Sequence, residues 1–400
     1  MRVLHVLYSS LPSSKGGDIR SRDIVQAQRS VGLDVCVISS PFQPPQSAGV
    51  AQEVIGEVVY HRTYNPEAGL DISEKDRGLV YKLKKVFQIF PFIKRVVEVA
   101  RKSKSNVIHG HSTFFCGVSA WVASRFVGAI CVYEVRSLWE QRSAMTNPSL
   151  KSQLIAWCIK SVETLSMKLA DHVVVISEGL KREVLGRGIP ASKISVIGNA
   201  VALESIKDKG VTLEKKSSDE LVFAYVGNVS DIEGLDLLVH AVRQLRAEGW
   251  RNPVQVYGAG PALEGLKRDA TDVHGVEFLG AFSPADVECV YGRIDVIVNP
   301  RKRSPLTDKV TPLKPLEAMG HKKLALVSSV EGMLELVRDG ETGIVAEADS
   351  AKSLADKMRY ITANREVMSS LVLRAYDFVE RNKSWRNNAK KYKVIYEGLK

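Results

Sequence analysis

Cysteine is scarce in this chain, and the pattern of the five that occur argues against two kinds of site. They are scattered, odd in number, and no two of them form a CxxC pair. The five positions are Cys36, Cys116, Cys131, Cys158 and Cys289. A zinc site of the common type needs such pairs, and a disulfide framework needs an even set of cysteines. We therefore expect free thiols and a reducing, cytoplasmic setting.

Long apolar runs are also missing. The longest falls far short of the ~20 residues that a helix needs to span a bilayer. The opening sequence MRVLHVLYSSLP is typical of a buried strand, because its apolar stretch is too short for a signal peptide and no cleavage site follows it. With 45% apolar and 25% charged residues, the composition indicates a folded soluble protein.

Two ligand-binding signatures are absent as well. No D-x-D tripeptide occurs, which disfavours an enzyme that holds a nucleotide diphosphate through a divalent metal. No G-x-G-x-x-G loop follows a strand, so the standard dinucleotide fingerprint is missing. We expect no metal and no resident cofactor. A phosphate-bearing ligand would then be neutralised by arginine, lysine and helix ends.

Strands and helices alternate along the chain, which predicts two doubly wound α/β domains. Four hundred residues exceed one ordinary core, and the polar, lysine-rich stretch 204–220 has the composition of a linker. We expect one domain over 1–200 and the other over 201–383, followed by a terminal helix over 384–400. Ligands of such folds lie beyond the carboxyl ends of the strands, here in a cleft between the domains.

The pattern of apolar residues places the strands of both domains. The expected strands are 3–8, 35–39, 54–62, 107–111, 130–135, 172–176 and 194–197 in the first domain, and 221–226, 253–257, 276–279, 296–299 and 324–328 in the second. Helices are expected at 312–320 and 333–338, among others.

Positive charge is in excess, with a formal net charge of +11, and it is concentrated in one place. The segment 77–104 carries nine Lys or Arg residues and a single acid, together with several aromatic and aliphatic residues. Such a segment can lie on an anionic membrane surface. It is equally typical of a core helix with a solvated basic face, broken at Pro91. Nucleic acid is not expected as a partner, because no recognition motif occurs.

The stretch Thr307–Gly320, TDKVTPLKPLEAMG, runs from a proline-containing turn into a helical pattern. A helix that starts there offers backbone N–H groups to a phosphate, and Lys314 adds a cation. Glu317 lies one turn further on and is able to accept hydrogen bonds from sugar hydroxyls. The pattern suits a nucleoside diphosphate, although prolines that begin a buried helix would look similar.

Other candidate groups follow strands at the edge where ligands bind. Gly16 and Gly17 in the first loop would allow a tight turn and a close backbone approach to phosphate, and Gly258 begins a similar loop. His111 ends a strand and can bond a sugar hydroxyl or phosphate. We expect His109 to face the opposite side of that strand.

Two further groups of charged residues follow strands. Glu134 and Arg136 straddle a valine at a strand end, where they form either a salt bridge or a contact to an acceptor. Arg301-Lys302-Arg303 follows the strand 296–299. Three adjacent cations beside a phosphate-binding helix would be offset by an anionic ligand, whereas the alternative is a solvated basic loop.

In this order and spacing the chain resembles a glycosyltransferase of the large retaining family 4, which has the GT-B fold of two Rossmann-like domains and an inter-domain cleft. The matching motifs are Gly16-Gly17, the strand end His109-Gly110-His111, Val175-Ile176-Ser177, Ile197-Gly198-Asn199, Tyr225-Val226-Gly227, Gly258-Ala259-Gly260-Pro261, Phe278-Leu279-Gly280 and the closing helix with Trp385 and Tyr396. The spellings YEVRSLW and TPLKPLEAMG are similar to a subgroup from exopolysaccharide and capsule gene clusters.

The resemblance implies transfer of a sugar from a UDP- or GDP-sugar with retention of configuration. It assigns the donor to the second domain and the acceptor, lipid-linked or polysaccharide, to the first. His111 then approaches the transferred sugar, and Glu317 corresponds to the second glutamate of the E-x7-E pattern, which contacts the ribose. The donor-binding residues are expected to include Gly16, Gly17, Gly227, Asn228, Gly258, Thr311, Pro312, Leu313 and Lys314, and the acceptor-binding residues Glu134 and Arg136.

The chain departs from the family pattern at three positions. Lys309 stands where the first glutamate of E-x7-E would fall, and Asp308 is the nearest carboxylate. The usual Arg and Lys of the loop after Gly227 are replaced by Asn228 and Glu233. We expect Arg301 or Arg303 to supply the missing charge, and Asp308 to join His111 and Glu317 in the catalytic set.

These departures leave an alternative open. An active transferase at the cytoplasmic membrane face is one hypothesis. A catalytically weak binding subunit that supports a partner transferase is the other. A sugar-nucleotide epimerase of similar fold is a third reading, but its acid/base signature is not evident in the sequence.

Overall fold

The structure is a computed structural model, and it describes residues 1–13, 16–43, 50–64, 86–138, 150–206 and 220–400. The chain divides into two compact units. The first comprises Met1–Gly198 together with Trp385–Lys400, and the second comprises Asn199–Ser384. Residues 77–85 of the basic segment 77–104 and residues 207–219 of the linker 204–220 lie outside the described residues.

The first unit is built on an eight-stranded sheet in the order β3-β4-β2-β1-β5-β6-β7-β8. Its strands are β1 (Arg2–Leu7), β2 (Asp34–Ser39), β3 (Gln52–Ile55), β4 (Val58–His61), β5 (Val107–His111), β6 (Ile130–Val135), β7 (His172–Val175) and β8 (Ile194–Val196). The α-helices that precede residue 200 in the described part of this unit are α1 (Gly16–Ser30), α2 (Ile89–Lys102), α3 (Phe114–Val127), α4 (Leu150–Leu169) and α5 (Glu178–Gly186). Strands β5 and β7 are buried along their whole length, as expected of parallel strands covered on both faces.

One predicted strand of this sheet is two strands in the structure. The expected strand 54–62 is instead a hairpin in which β3 and β4 pair antiparallel. The turn between them consists of Gly56 and Glu57, with φ of 54° and 65°. Two successive residues with positive φ form the tight turn that joins antiparallel strands. The prediction was wrong because it read Gly-Glu as the interior of a strand.

The second unit contains a six-stranded parallel sheet in the order β11-β10-β9-β12-β13-β14. Its strands are β9 (Phe223–Val226), β10 (Val254–Tyr257), β11 (Val276–Gly280), β12 (Val296–Asn299), β13 (Leu324–Ser328) and β14 (Ile344–Ala346). Its helices are α6 (Leu235–Ala247), α7 (Leu263–Asp269), α8 (Val287–Gly292), α9 (Pro305–Lys309), α10 (Lys314–Gly320), α11 (Glu331–Leu334), α12 (Ala351–Ala363) and α13 (Arg365–Asn382). Apolar clusters cover both faces of the sheet. The three-residue strand β14 was not among the expected strands.

The chain ends in α14 (Trp385–Gly398), which belongs to the first unit. It packs on α1, and it buries Trp385, Tyr392 and Tyr396 there. Large aromatic side chains of this kind contribute about 1.5–3 kcal/mol each when they are removed from water. The helix is therefore part of the core of the first unit.

The sheet order reverses at one point in each unit. In the first unit β1 lies between β2 and β5, and in the second β9 lies between β10 and β12. In open parallel sheets, loops on either side of such a reversal part to leave a crevice at the carboxyl ends of the strands. The two places to search for a functional site are therefore the loops after β1 and β5, and those after β9 and β12.

The expected helix 312–320 is shorter in the structure and is preceded by a separate one. α9 begins at a capping box in which Ser304 accepts from the Thr307 N–H, and it ends at Lys309. α10 begins only at Lys314, and Pro315 lies in its first turn, where the missing N–H costs no intrahelical hydrogen bond. Helix 333–338 is likewise found earlier in the chain, as α11. The five cysteines are all unpaired, which confirms the prediction of free thiols.

No helix in the described part of the chain has both the length and the apolar character that crossing a bilayer requires.

Candidate functional site

In the second unit the loops after β9 and β10 are in backbone-to-backbone contact. A Cβ atom on Gly258 would lie 1.7 Å from the Gly227 carbonyl oxygen, and one on Gly260 would lie 2.1 Å from that of Val229. Gly227 and Gly258 also have φ of 142° and 140°, which side chains rarely allow. The glycines are therefore required by the contact between the two loops, and they hold the loop after β9 at the sheet reversal.

A largely buried group of three charged residues lies beside this loop. The Lys314 Nζ is 2.9 Å from Oε2 of Glu233, and the Arg301 guanidinium donates to Oε1 of the same carboxylate at 3.1 Å. The ammonium group of Lys314 also lies 4.3 Å from the ring centroid of Tyr225 and donates to its hydroxyl. Two cations share one carboxylate, so the group carries a net positive charge at the reversal point.

The electrostatics of this group favour an anionic ligand. Burial by itself would raise the pKa of Glu233, but Arg301 and Lys314 outweigh burial and lower that pKa below its ordinary value. Burial lowers the pKa of Lys314, which Glu233 partly offsets. A lysine whose charged form is desolvated gains when a second anion approaches. The Nε of Arg301 is buried and has no hydrogen-bond partner among the described residues.

Arg301 and Arg303 have different surroundings. Arg301 is nearly buried, and besides Glu233 it donates to the Val310 carbonyl at 3.2 Å. Arg303 is 51% exposed in its side chain and donates to the Ser329 carbonyl at 3.0 Å. The structure thus brings Arg301, and not Arg303, together with Lys314.

Asp308 lies in α9, and its Oδ1 accepts at 3.1 Å from the N–H of Glu331, the first residue of α11. This contact satisfies a free donor at the beginning of that helix. Its carboxylate is also 3.8 Å from the Arg303 guanidinium. The contacts of Asp308 therefore explain its presence structurally, and its place in the catalytic set stays a prediction.

The remaining predicted residues of the second unit lie around α10. Thr311 is buried and its carbonyl accepts from the Asn199 side chain at 2.6 Å, while Glu317 is half-buried beside Tyr291. Pro312 is buried, Leu313 is half-buried, and Asn228 is exposed on the loop after β9. From the sequence, Glu233 was noted only as a departure from the family pattern. Its pairing with Lys314 could have been predicted, because a lysine in the first turn of a mostly buried helix requires a nearby acid.

In the first unit, Gly16 and Gly17 are the first residues of α1. Neither has a positive φ, and a Cβ atom on either would meet nothing within 4 Å. The tight turn expected there is wrong, because the helix begins at Gly16 itself. The space around both residues is open, so a close approach by a ligand stays a prediction.

Glu134, at the end of β6, is the centre of a fully buried ionic network. Its Oε1 accepts from Arg20 at 3.1 Å and from Arg136 at 2.7 Å, and its Oε2 accepts from the hydroxyl of Tyr392 on α14. Burial alone would raise the pKa of Glu134, but the two guanidiniums hold it well below the usual range. The salt bridge expected here is present, while a contact from Glu134 or Arg136 to an acceptor stays a prediction.

His111 belongs to the same network. Arg136 donates to its Nδ1 at 2.6 Å, and its Nε2 lies 2.8 Å from Nδ1 of His5. Burial, reinforced by Arg136, lowers the pKa of His111 to about 4. Both ring nitrogens already have partners, so a direct bond to a sugar hydroxyl requires one partner to be displaced. Contact between His111 and the transferred sugar stays a prediction.

His109 lies on the same side of β5 as His111, and the expectation of opposite sides was wrong. Their rings stack with centroids 3.9 Å apart. Side chains in a strand alternate with a period of two, so residues two apart share a face. His5 on β1 joins them, and the sequence analysis had no signal for it beyond its place in a buried strand.

The three histidines are close enough to suggest a metal site. One ring nitrogen from each of His5, His109 and His111 lies within 4.8 Å of the others. However, hydrogen bonds occupy both nitrogens of His5 and His111, and the guanidiniums of Arg20 and Arg136 lie beside the cluster. A divalent cation would be repelled by both positive charges. The donor set fits a hydrogen-bonded cluster better than a metal.

Two family models match this chain. The model described as Glycosyltransferase Family 4 matches residues 15–205, and the model described as Glycosyl transferases group 1 matches residues 220–364. The first contains His109 and His111 of the histidine cluster. The second contains the Arg301–Glu233–Lys314 group.

Individual glycosyltransferases are similar to this chain at low sequence identity and over part of its length. An uncharacterized glycosyltransferase of Methanocaldococcus jannaschii is 25% identical over 255 residues, which is 62% of this chain and 64% of that protein. A lipopolysaccharide 1,2-N-acetylglucosaminetransferase of Salmonella typhimurium is 27% identical over 235 residues, which is 55% of this chain and 60% of that enzyme. The chain thus spans less than two thirds of the length of either relative.

A solved structure extends the likeness to the whole fold. HepE from Anabaena, in a crystal structure with UDP-glucose, matches with a TM-score of 0.71 at 14% sequence identity, over 100% of both chains. At this identity the match concerns the fold alone, and it confirms the predicted fold class. The family models on both halves and this fold show that the chain belongs to the glycosyltransferases with the GT-B fold of two Rossmann-like domains.

Proposed function

We propose that this chain is a retaining glycosyltransferase that moves a sugar from a nucleotide-sugar donor to an acceptor in cell-surface glycan synthesis. The observation that carries the proposal is the pair of largely buried cations, Arg301 and Lys314, which share Glu233 at the sheet reversal of the second unit. The crystal structure of HepE with UDP-glucose supports a nucleotide sugar as donor.

The charged group suggests how the donor diphosphate is held. The resemblance expects the cation on the loop after β9, where this chain has Glu233. Here Lys314 and Arg301 approach Glu233 from other elements, so the positive charge is kept while its origin in the sequence differs. A diphosphate that binds beside them would receive charge-assisted hydrogen bonds, which are roughly twice as strong as neutral ones. The same cations would stabilise the departing nucleoside diphosphate during transfer.

As part of the proposal, sugar transfer by this chain requires no metal ion. The two cations take the role that a D-x-D-bound metal has elsewhere, and the chain lacks that tripeptide. Glu317, half-buried on α10, would accept hydrogen bonds from the ribose hydroxyls. The donor side is then the second unit, and the acceptor side is the first.

Arg301 and Arg303 form a matched pair that tests the donor site. Arg301→Ala should raise the donor KM about tenfold or more, because it removes a nearly buried charge from the group around Lys314. Arg303→Ala should change the donor KM less than threefold or so, because its side chain is exposed and bonded elsewhere. Initial rates at varied donor concentration provide both values. If both variants keep the wild-type KM, the proposed donor site is wrong.

We also propose that the chain acts at the inner face of the plasma membrane, on a lipid-linked or polysaccharide acceptor. In the described part of the segment 77–104, α2 buries Phe92 and Val96, whereas Phe90 in its first turn and Phe87 just before it are 65% and 63% exposed. Pro91 does not break the helix, because it lies in the first turn, where no hydrogen bond is lost. The helix thus packs on the core and also presents aromatic side chains beside basic ones.

The membrane proposal predicts the behaviour of a double variant. Phe87→Ser with Phe90→Ser should reduce cosedimentation with anionic phosphatidylglycerol vesicles about tenfold, because apolar insertion adds to the electrostatic attraction. The matched control is Leu373→Ser, which is exposed on α13 of the second unit. Wild-type protein that stays in the supernatant at low salt would exclude this contact.

A donor screen followed by product analysis tests the function itself. A nucleotide sugar present at about 100 times its Kd should stabilise the fold by ~2.7 kcal/mol, which thermal-shift measurements against UDP- and GDP-sugars would detect. The donor so identified is then incubated with excess EDTA, and NMR of the product determines the anomeric configuration. Inverted configuration refutes retention, and loss of turnover in EDTA refutes metal independence. Binding without transfer or donor hydrolysis favours the alternative, a weak binding subunit that supports a partner transferase.

A further inference from the structure

The last helix contributes two hydroxyl groups to the buried network of the first unit. Tyr392 and Tyr396 on α14 are fully buried. Tyr392 bonds the carboxylate of Glu134, and the Tyr396 oxygen lies 2.7 Å from Nδ1 of His109 and 3.0 Å from the amide nitrogen of Gln28. Neither tyrosine has a role in the donor site described above.

The direction of each hydrogen bond in this network can be worked out from one end. A guanidinium only donates, so Arg136 requires His111 to accept at Nδ1. A neutral His111 then carries its proton on Nε2 and donates it to Nδ1 of His5, 2.8 Å away. His5 in turn carries its proton on Nε2 and donates to Oε1 of Gln28 at 3.1 Å. The contact from Arg136 therefore determines the tautomers of both His111 and His5.

The chain of hydrogen bonds continues from Gln28 through Tyr396 of the last helix to His109. With its oxygen facing His5, Gln28 must donate its amide N–H to the oxygen of Tyr396. The Tyr396 hydroxyl is then free to donate to Nδ1 of His109, which places the proton of His109 on Nε2. That nitrogen lies 3.7 Å from Oε2 of Glu134, which is too far for a hydrogen bond. The negative carboxylate nevertheless attracts the partly positive N–H group of His109 at this distance.

The surroundings of His5, His109 and His111 favour the neutral form of all three rings, which the sequence of hydrogen bonds above requires. Burial is the largest cause that lowers the pKa of His5, His109 and His111, and Arg136 lowers each of them further. Glu134 acts in the opposite sense but is already paired with Arg20 and Arg136. Neutral imidazole has one donor and one acceptor, so every link of the chain has a single sense.

We propose that Tyr396 is a positioning residue: its hydroxyl fixes the Nε2–H tautomer of His109 and, through Gln28 and His5, holds the ring orientation of His111, whose own tautomer Arg136 sets. The last helix is then a condition for the geometry at the end of β5, although it lies far along the sequence from that strand. The inference rests on the proposed function, because His111 matters to sugar transfer only if the chain is a transferase. The protonation pattern itself does not depend on catalysis.

The protonation pattern can be read in the absence of any substrate. Long-range ¹⁵N–¹H correlation spectra of histidine-labelled protein distinguish the two neutral tautomers and the charged ring. Of the eight histidines, three are expected as neutral Nε2–H tautomers that do not titrate between about pH 5.5 and 8. If any of these three rings carries its proton on Nδ1, or titrates near its ordinary pKa, the proposed chain of hydrogen bonds is wrong.

The role in the reaction is tested by Tyr396→Phe, which removes the hydroxyl and keeps the ring. We expect the His109 signals to change and kcat to fall about three- to tenfold, with the donor KM unchanged. Gln28→Glu is a second variant: it keeps the acceptor for His5 but loses the donor to Tyr396, so kcat should fall in the same way. Tyr360→Phe, at an exposed tyrosine of the second unit, is the control.

The outcomes separate the two proposals. A changed spectrum with unchanged kcat in both variants refutes the positioning role, and so does a fall in kcat with an unchanged spectrum. If wild-type protein transfers no sugar, the proposed function fails while its spectrum still decides the hydrogen-bond order. Should Tyr396→Phe not fold, Gln28→Glu and the wild-type spectrum decide the matter.

Discussion

Glu134→Gln is expected to lower the free energy of unfolding by about 3–5 kcal/mol, the cost of removing one partner from a buried ion pair. Arg20 and Arg136 would both lose their shared anion in a region with no access to water. The loss should exceed that of any exposed carboxylate, because the other acceptors of these guanidiniums, such as the carbonyls of Gly198 and Gly17, carry no charge. Urea denaturation followed by circular dichroism measures it.

The same carboxylate predicts a pH dependence of stability. The two guanidiniums hold the pKa of Glu134 below its ordinary value of 4.5, and they outweigh burial, which acts in the opposite direction. A group whose pKa is lower in the folded state stabilises the fold above its unfolded pKa. This contribution is therefore complete above about pH 4.5 and is lost as the pH falls through the lower folded value.

Glu57→Gln is the matched control for this prediction. Glu57 pairs with Arg29 in the same unit but is largely exposed, so its loss should cost less than about 1 kcal/mol. The acid-dependent part of the stability should be reduced in Glu134→Gln and unchanged in Glu57→Gln. Equal stabilities for the two variants would show that the buried network contributes nothing measurable.

Lys314→Met should weaken donor binding about ten- to hundredfold, the effect of losing a charge-assisted hydrogen bond in a dry site. Methionine keeps the length of the side chain but not its charge. The ammonium group of Lys314 is held between Glu233 and the ring of Tyr225, so its position is well defined before any donor arrives. Isothermal titration with the nucleoside diphosphate of the preferred donor measures the change.

Lys302→Met separates this effect from a general loss of charge. Lys302 follows the same strand as Arg301 but pairs with Asp236 at a more exposed position. Its replacement should change the donor Kd by no more than about twofold. Equal losses in the two variants would mean that long-range attraction, and not the buried group, holds the diphosphate.

The alternation of apolar segments was enough to predict the architecture. Strand β5 at Val107–His111 and strand β12 at Val296–Asn299 have the predicted bounds, because short apolar runs bounded by polar turns mark fully buried strands. The hairpin of β3 and β4 was missed, since its turn rests on the backbone angles of Gly56 and Glu57. Such angles leave little trace in the hydrophobic pattern.

The sites were predicted less completely than the fold. Lys314 and Arg301 were recognised as donor-binding candidates from their places after a turn and a strand. Glu233, which joins them, was identified only as an unexpected acid, because it lies 81 residues before Lys314 in the chain. Local patterns do not reveal pairings between residues so far apart.

The sequence by itself determined that this chain forms two α/β units with phosphate-compatible loops at the carboxyl ends of the strands. That follows from local rules, since periodicity, glycine and proline act over a few residues. Only the tertiary structure decided which charges meet. His5 lies in β1, His111 in β5 and Tyr396 in the last helix. Because they are buried in one hydrogen-bonded network, the protonation of each depends on the others. The physical reason is that hydrogen-bond direction and pKa depend on neighbours in space, which the order of residues does not specify.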